Sequence, residues 1–237
     1  MLHTIVISAG GKGTRMGTLT NDLPKHLISV NGRPFISYLL NNVIKAGFTN
    51  IIVNIGYKKE RWASLFPRLP VAVTVINQHD RLGDKYGTAC PIEAAEAEIG
   101  GQSFVAVNGD NLYSVNDLKR IANDDGFCYA TGWKHDHPER YGVLQTDGDF
   151  LKAIIERPTT FVGNLINTGL YKFTPQIFSV IKQLRVSPRG EYEITDAINR
   201  LAELRLAKVL PLQDYWYDFG RPEDIDKVAD FLKTQDT

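Results

Sequence analysis

The chain has 237 residues, of which 43% are hydrophobic and 23% are charged, with 27 basic and 27 acidic side chains. This composition is typical of a folded globular protein, and the length fits one large α/β domain or one domain with a small lobe. The formal net charge of zero excludes a chain-wide field that would attract nucleic acid or anionic membranes, so any anion site must be local.

The two cysteines, Cys90 and Cys128, lie far apart without the spacing of a metal site, which predicts reduced thiols in a cytoplasmic protein. The N-terminus lacks the basic start and apolar run of a signal peptide and enters glycine-rich sequence at Gly10. No apolar stretch approaches the roughly 20 residues that a membrane span needs. We therefore expect neither a nucleic acid nor a membrane as a partner.

A glycine-rich turn follows the first predicted strand, residues 4–8. Its glycines and the cations around it are Gly10, Gly11, Gly13, Lys12, Arg15 and Lys25. Asp22 is the only carboxylate in the first 25 residues. Glycines let backbone N–H groups approach a ligand, and clustered cations repel each other unless an anion is present. The turn therefore predicts a polyphosphate site, and a turn without a ligand is the alternative.

Two common phosphate-binding patterns are not matched by this turn. The dinucleotide pattern requires a third glycine at position 16, which is Met16, and the P-loop pattern Gly-Lys-Ser/Thr is absent. The glycine spacing, together with the lack of a ribose-binding acid at the right distance, argues against an NAD-dependent oxidoreductase.

The first half of the chain alternates between helix-like and strand-like stretches. The pattern predicts helices over residues 35–46 and 88–98, and strands over 50–55, 71–77 and 104–107. Such β-α-β alternation indicates a parallel sheet with helices on both faces and a site beyond the carboxyl ends of its strands. We predict the α/β class, with a Rossmann-like, mostly parallel central sheet.

The second half is richer in strands. The predicted strands are residues 127–133, 142–146, 150–156 and 170–173. The predicted helices are residues 175–184, 193–204 and 222–233. No repeat or linker separates the halves, so we expect a single domain over 1–237 with one continuous sheet. Its two halves would be residues 1–125, which hold the glycine-rich turn, and residues 126–237, which add a small β-rich lobe.

Asp110 ends the sequence Val-Asn-Gly-Asp directly after the predicted strand 104–107. A carboxylate at this edge of a sheet can hold Mg²⁺ against phosphate oxygens, because magnesium takes one or two carboxylates and completes its shell with phosphate and water. A turn aspartate that accepts hydrogen bonds from its own backbone is the alternative.

Residues 9–38 resemble the signature of the sugar-1-phosphate nucleotidyltransferases, also called nucleotide-sugar pyrophosphorylases. The family elements G-G-x-G-T-R, P-K and K/R-P-h-h-x-Y match residues 10–15, 24–25 and 33–38. One departure is Gly17-Thr18, where the family usually has a proline. Later elements extend the resemblance over nearly the whole chain, from Ile5 to about Ile225.

The resemblance implies that a nucleoside triphosphate reacts with a sugar-1-phosphate to give an NDP-sugar and pyrophosphate, with Mg²⁺ as the cofactor. It implies that Arg15 stabilises the triphosphate and the departing pyrophosphate, and that Lys25 contacts the α-phosphate and the attacking phosphate. The implied metal ligands are Asp110 and Asp218, the latter in a W-x-D-h-G-T-P-like element where Arg221 replaces the usual threonine. A helix entry at Pro222 is the alternative for that element.

The nucleotide-binding residues that the resemblance implies are Ala9, Gly10, Gly11, Gly13, Thr14, Gln78, Gly87, Thr88 and Asn108. Gln78 would touch the base, whereas Thr88 could instead be a plain helix cap.

The implied sugar-phosphate-binding residues come from Y-G-V, E-K-P, N-x-G and G-E-x-x-I-T-D elements and are Gly142, Glu156, Arg157, Asn167 and Glu191. A carboxylate accepts from vicinal hydroxyls, an asparagine both donates and accepts, and the arginine stands where lysine is common but can bind phosphate with a fork of donors. Turns and a solvated ion pair are the alternatives. His135 and His137 are predicted to lie in a solvated loop.

Two other functions remain open at this point. A cytidylyltransferase acting on a non-sugar phosphate such as phosphocholine shares the first signature but would lack the E-K-P and N-x-G elements. A catalytically inactive regulatory homologue would lose the basic residues or the aspartates. The sequence does not fix the base, the sugar or the oligomeric state, and a homo-oligomer is compatible with it. No hexapeptide repeat follows the last predicted helix, so we expect no attached acyltransferase domain.

Overall fold

The computed structural model describes residues 1–63, 65–66 and 69–235. Its strands are β1 Thr4–Ala9, β2 Ser29–Val30, β3 Arg33–Pro34, β4 Asn50–Ile55, β5 Val73–Asn77, β6 Phe104–Asn108, β7 Asn111–Tyr113, β8 Cys128–Lys134, β9 Gly142–Asp147, β10 Phe150–Glu156, β11 Leu165–Phe173, β12 Ala207–Pro211 and β13 Trp216–Asp218. Its α-helices are α1 Phe35–Lys45, α2 Gln78–Leu82, α3 Cys90–Ala94, α4 Glu96–Ile99, α5 Val115–Ile121, α6 Gln176–Ile181, α7 Ile194–Glu203 and α8 Glu223–Gln235.

Strands from both halves of the chain form one nine-stranded sheet in the order β5-β4-β1-β6-β11-β8-β12-β10-β9. The first four strands are parallel, as is the pair β8–β12, whereas β11, β10 and β9 join their neighbours in antiparallel register. β9 also meets β11 through Val143 and Ile166, so this end of the sheet curls. The α/β class is confirmed, with a mixed sheet that is parallel in the first half.

The parallel strands are apolar because both of their faces are covered. Ile5 and Ile7 of β1 lie in one core with residues of α1, α5 and α8, whereas Val6 between them lies in a second core with residues of α3, α6 and α7. All three side chains are fully buried. This alternation across a strand places helices on both faces of the sheet, as predicted.

A separate two-stranded ladder joins β7 and β13, which the sequence analysis did not predict. Asp218 pairs with Asn111 in the antiparallel register, and the backbone N–H of Phe219 donates to the carbonyl of Asp110 at 2.8 Å. The ladder therefore brings a strand near the end of the chain beside the strand that follows β6.

Several boundaries differ from the predictions. The predicted helix 88–98 is two short helices, α3 and α4, that meet at Ala95, and the strand predicted at 170–173 begins at Leu165. Helices α2 and α5 and strand β12 were not predicted. Within the described ranges, no helix combines the length and apolar character needed to cross a membrane.

Candidate active site

Two cavities meet where β1 and β6 end. We call the first, of ≈ 180 Å³, the glycine-loop cavity, because Gly10 and Gly11 line it. We call the second, of ≈ 220 Å³, the lobe cavity, because residues of β9, β10 and β11 line much of it. Thr88, Asn108 and Asp110 line both. The edge of the sheet is the one that the parallel topology predicts for a site.

Most of the residues predicted to bind the nucleotide line the glycine-loop cavity, namely Gly10, Gly11, Gln78, Gly87, Thr88 and Asn108. Ala9 is buried in β1, and Gly13 and Thr14 line neither cavity. Gln78 is 4% exposed and lies at the start of α2, with its side-chain oxygen near the backbone of Gly10. A buried amide that faces a cavity can donate to and accept from a ligand.

Lys25 and Asp110 form an ion pair at the junction of the cavities. Their side chains are only 11% and 16% exposed, and Asn111 donates to the second carboxylate oxygen of Asp110 at 3.0 Å. Burial opposes ionisation of Asp110, but Lys25, with smaller contributions from His26 and Arg15, lowers the pKa of this carboxyl below its ordinary value. Asp110 is therefore an anion at neutral pH, neutralised by the ammonium group of Lys25.

Asp218 faces the lobe cavity beside Asp110. Burial, and after it the negative charge of Asp110, raise the pKa of Asp218 to about 6, although Arg15 and Lys25 act in the opposite direction. A cation bound between these carboxylates would favour the ionised form of Asp218. No group of three or more His, Cys, Asp or Glu side chains with metal-binding geometry occurs among the described residues. Asp110 and Asp218 nevertheless fit Mg²⁺, which needs few protein ligands when phosphate supplies the rest.

Arg15 lines the lobe cavity, and its guanidinium lies close to the loop that carries Asp218. A Cβ atom at Gly220 would lie 3.1 Å from Nη2 of Arg15 and 3.2 Å from Oδ2 of Asp218. Glycine at this position leaves room for both charged groups. The structure thus brings Arg15, Lys25, Asp110 and Asp218 together at one junction.

Four of the five residues predicted to bind the sugar phosphate line the lobe cavity: Gly142, Glu156, Arg157 and Asn167. Burial raises the pKa of Glu156, which makes its carboxyl a good partner for hydroxyl groups. Asn167 donates to the Tyr171 hydroxyl at 2.7 Å. The adjacent N-x-G glycine, Gly169, has φ +77°, and the side-chain amide of Asn108 packs directly against it at a position where a Cβ would clash.

Glu191 lies elsewhere than expected, because it lines the glycine-loop cavity with Gln78 and Tyr86. The cause is backbone hydrogen bonding between two segments that lie far apart in the sequence. Tyr192 donates from its backbone to the carbonyl of Tyr86 at 2.9 Å, and Ala89 donates to the carbonyl of Tyr192 at 2.9 Å. This pairing pulls the Glu191 segment over the glycine-loop cavity.

Thr88 adds side-chain hydrogen bonds between the same two segments. Its hydroxyl accepts from the backbone N–H of Ile194 at 2.8 Å and lies 3.3 Å from the Glu193 carboxylate. It therefore caps α7 across the cavities, whereas its own neighbouring helix α3 begins at Cys90 without a side-chain cap. The alternative in which Thr88 caps its own neighbouring helix is therefore wrong, because its hydroxyl pairs with a backbone N–H of a distant helix.

Sequence reasoning missed other residues that line these cavities, including His26, Asn111 and Arg189. Burial, and after it the charge of Lys25, lower the pKa of His26 to about 3, so this ring is neutral at pH 7. Its Nδ1 has no hydrogen-bond partner among the described residues. Arg189 forms an ion pair with the buried Glu193 at 2.9 Å. A basic residue two positions before Glu191 was the available signal for Arg189, whereas nothing in the sequence distinguished His26.

Comparison with known proteins shows the family to which the chain belongs. The family model described as nucleotidyl transferase matches residues 4–235. A bifunctional protein GlmU of Methanococcus aeolicus is 34% identical over 226 residues, covering 93% of this chain and 52% of the relative. A UTP–glucose-1-phosphate uridylyltransferase, AglF, of Haloferax volcanii is 32% identical over 239 residues, covering 98% of this chain and 97% of the relative. The chain thus spans about half the length of the first relative and nearly all of the second.

A solved UDP-glucose pyrophosphorylase from Acinetobacter baumannii shares the fold, with a TM-score of 0.84 at 20% identity over 97% of this chain and 92% of that one. The chain therefore belongs to the nucleotidyl transferase family, and the resemblance to sugar-1-phosphate nucleotidyltransferases that its motifs indicated is confirmed.

Proposed function

We propose that this protein transfers a nucleotidyl group from a nucleoside triphosphate to a sugar-1-phosphate, releasing pyrophosphate. The observation that carries this proposal is the junction of the two cavities, where Lys25 and Asp110 are in contact and Arg15 and Asp218 lie alongside. Two cations and two carboxylates at one point are suited to a reacting phosphate.

The assignment of the cavities follows from their lining. Among the described residues, nearly all that line the glycine-loop cavity come from residues 1–125, so we assign this cavity to the nucleoside. Most of the described residues that line the lobe cavity come from residues 126–237, so we assign it to the sugar and its phosphate. The two substrates would then meet at Asp110.

The chemistry needs no general base. A phosphate monoester has a second pKa near ~6, so a sugar-1-phosphate is largely dianionic at neutral pH and its oxygen can attack directly. A bond forms between that oxygen and the α-phosphorus, and the bond from the α-phosphorus to the bridging oxygen of the β-phosphate breaks. Lys25 would neutralise the two phosphates as they approach, and Arg15 would neutralise the departing pyrophosphate.

Asp110 and Asp218 would hold Mg²⁺. Bound there, the ion would supply Lewis-acid stabilisation of phosphate oxygens. Lys25 would then exchange its contact with Asp110 for a contact with phosphate, because the ion would neutralise that carboxylate instead.

Glu156 and Asn167 would bind sugar hydroxyls, while Arg157 and Arg189 would hold the sugar's phosphate at the same cavity. Gln78 and Glu191 would face the base. We also propose a cytoplasmic location, because the thiols of Cys90 and Cys128 are free and buried. Assembly into a homo-oligomer is a further proposal.

A pyrophosphate-release screen of all nucleoside triphosphates against a set of sugar-1-phosphates tests the proposal. The pair UTP and glucose-1-phosphate, used by the Haloferax relative according to its name, is the natural starting point. Arms with CTP and phosphocholine test the non-sugar alternative. Pyrophosphate release only with phosphocholine, or with no pair at all, would contradict the proposal.

Two variants test the assigned roles. Lys25→Ala and Arg15→Ala should each lower kcat by roughly 10²–10³-fold, the usual loss for one preorganised charge contact. Lys119→Ala is the matched control, because Lys119 is an exposed lysine of α5 that lines neither cavity. Unchanged turnover in the Lys25 or Arg15 variant would remove that residue from the mechanism.

A further inference from the structure

A buried carboxylate outside both cavities accepts hydrogen bonds from a distant segment of the chain. It belongs to Asp117, in the first turn of α5, whose side chain is 0% exposed. Its oxygens accept the backbone N–H groups of Gln213 at 3.0 Å and of Asp214 at 3.2 Å. These two residues lie between β12 and β13. Asp117 therefore ties α5 to the segment that leads to Asp218.

Neighbouring donors hold this carboxylate in one orientation. Arg120 donates to Oδ1 of Asp117 at 2.8 Å, and the hydroxyl of Ser114 donates to Oδ2 at 2.9 Å. The guanidinium of Arg120 also donates to the carbonyl of Pro211 at 3.0 Å. A buried carboxylate is tolerated when it is paired and hydrogen-bonded, as this one is. The distant segment is thus held both through its N–H groups and through a carbonyl.

The ladder between β7 and β13 connects this carboxylate to the charged junction. In the antiparallel register Asn111 lies opposite Asp218, and the N–H of Phe219 donates to the carbonyl of Asp110. Asp117 follows β7 in sequence, and the two N–H groups that it accepts precede β13. The ladder therefore has the two aspartates of the junction at one end and Asp117 at the other.

Asp117 acts where the chain leaves the main sheet for this ladder. Leu212 donates its N–H to the carbonyl of Gly132 in β8 at 2.9 Å, and the next two N–H groups are those that Asp117 accepts. A ladder of two short strands is marginally stable by itself, and β7 and β13 have three residues each. Asn42 of α1 adds one bond to the carbonyl of Tyr113 at 2.9 Å. The ladder therefore depends on side-chain anchors, and Asp117 is a charged, fully buried one.

We propose that Asp117 is a positioning residue that fixes Asp218 beside Asp110 at the spacing that a divalent cation requires. The inference rests on the proposed function, in which these two carboxylates hold Mg²⁺. Asp117 lines neither cavity, so it would act only through the segment that it binds. Magnesium demands near-ideal octahedral geometry, so a shift of one carboxylate should weaken its binding. A role confined to supporting α5 is the alternative.

Amide hydrogen exchange, followed by NMR in metal-free buffer, tests the anchor without metal or substrate. In Asp117→Asn, an amide group that cannot accept replaces one carboxylate oxygen. Exchange in residues 213–219 should therefore become roughly tenfold faster, the change expected for one lost hydrogen bond. The N–H of Phe219 reports on the junction directly, because its acceptor is the carbonyl of Asp110.

Titration of the nucleotide-free protein with Mn²⁺ alone, followed by electron paramagnetic resonance, tests the consequence for the metal. Asp117→Asn should weaken Mn²⁺ binding roughly 10–100-fold, as is usual when a partner outside the ligand shell is changed. Arg120→Gln keeps the carboxylate and removes the bond to Pro211, so it should speed exchange and weaken Mn²⁺ binding to a smaller extent. This second variant keeps the inference testable if Asp117→Asn does not fold.

The two variants also separate positioning from simple charge effects. Arg120→Gln removes a positive charge, so a purely electrostatic effect would strengthen Mn²⁺ binding where positioning weakens it. Asp125→Asn is the matched control, because it removes a negative charge and breaks the ion pair with the buried Lys172 outside both cavities. It should bind Mn²⁺ like the unaltered protein.

Unchanged exchange in residues 213–219 of Asp117→Asn would overturn the inference. Faster exchange with unchanged Mn²⁺ affinity would overturn it as well, because Asp117 would then support only the fold. Stronger Mn²⁺ binding by Arg120→Gln would have the same consequence. Failure of the unaltered protein to bind Mn²⁺ would count against the metal role in the proposed function, whereas exchange at Phe219 would still show whether Asp117 holds the ladder at Asp110.

Discussion

Replacing Lys25 with methionine removes the ammonium group that neutralises Asp110 and keeps most of the apolar side chain. Losing one partner of a buried ion pair costs roughly 3–5 kcal/mol, and an exposed pair contributes about 0–1 kcal/mol. The two side chains are 11% and 16% exposed, and Asn111 still donates to Asp110 after the change. We therefore expect Lys25→Met to lower the free energy of unfolding by about 2 kcal/mol in metal-free buffer, between those limits.

Magnesium should reverse much of this loss. Under the proposed role of Asp110 as a metal ligand, Lys25 would compete with Mg²⁺ for this carboxylate, so removing the ammonium group should strengthen metal binding even as turnover falls. A change of about 2 kcal/mol corresponds to roughly thirty-fold in affinity. Mg²⁺ should therefore stabilise the variant more than the unaltered protein, by a margin that urea denaturation can resolve.

The assay is urea denaturation followed by circular dichroism, with EDTA and with excess MgCl₂, for the unaltered protein, Lys25→Met and Lys119→Met. Lys119 is an exposed lysine of α5 that lines neither cavity, and its variant should show neither effect. Equal stability of Lys25→Met and the unaltered protein in EDTA would refute the energetic reasoning. Equal stabilisation by Mg²⁺ would refute the competition between lysine and metal.

Three further predictions concern stability and the walls of the cavities. Hydrogen bonds from Lys172 and others outweigh partial burial and lower the pKa of Asp125 from 3.8 to about 2, so its contribution is complete above pH 3.8 and is lost as the pH falls towards 2. Because Asp125 is about a third exposed, we expect roughly 1 kcal/mol, and Asp125→Asn should flatten the acid limb of the unfolding free energy across that window. Gly169→Ala forces a Cβ against the Asn108 amide, which should cost about 1 kcal/mol of unfolding free energy. The melting temperature in differential scanning calorimetry should therefore fall by about 4 °C. Thr88→Val removes the cap of α7 and should cost about 1 kcal/mol in urea denaturation, with a raised KM for both substrates, whereas a KM change for one substrate alone would contradict its place between the cavities.

The elements that carry the parallel half of the fold could be predicted from the sequence because their signals are local. β1, β4 and β6 are largely apolar runs, and Gly47, with φ +97°, follows the C-cap of α1. These strands alone place the glycine turn and Asp110 at one edge of the sheet, which is why the charged junction could be expected from residue spacing and motif resemblance.

The missed features depend on contacts between distant segments. β7 and β13 are three residues each, and only their mutual register makes them strands. The position of Glu191 follows from backbone pairing between Tyr86–Ala89 and Tyr192, more than a hundred residues apart in sequence. By contrast, Ser114 is a local helix-start signal for α5, because its hydroxyl accepts the backbone N–H of Asp117.

The ladder between β7 and β13 has a consequence for the making of this protein. Asp110 is present early in a growing chain, but its partner carboxylate arrives with β13, Trp216–Asp218, close to the last helix. During synthesis, the amino-terminal half can begin to fold while the reaction centre is still incomplete. A prematurely terminated chain that ends before β13 would carry the glycine turn and Lys25 but would lack Asp218, one of the two carboxylates proposed to hold the metal.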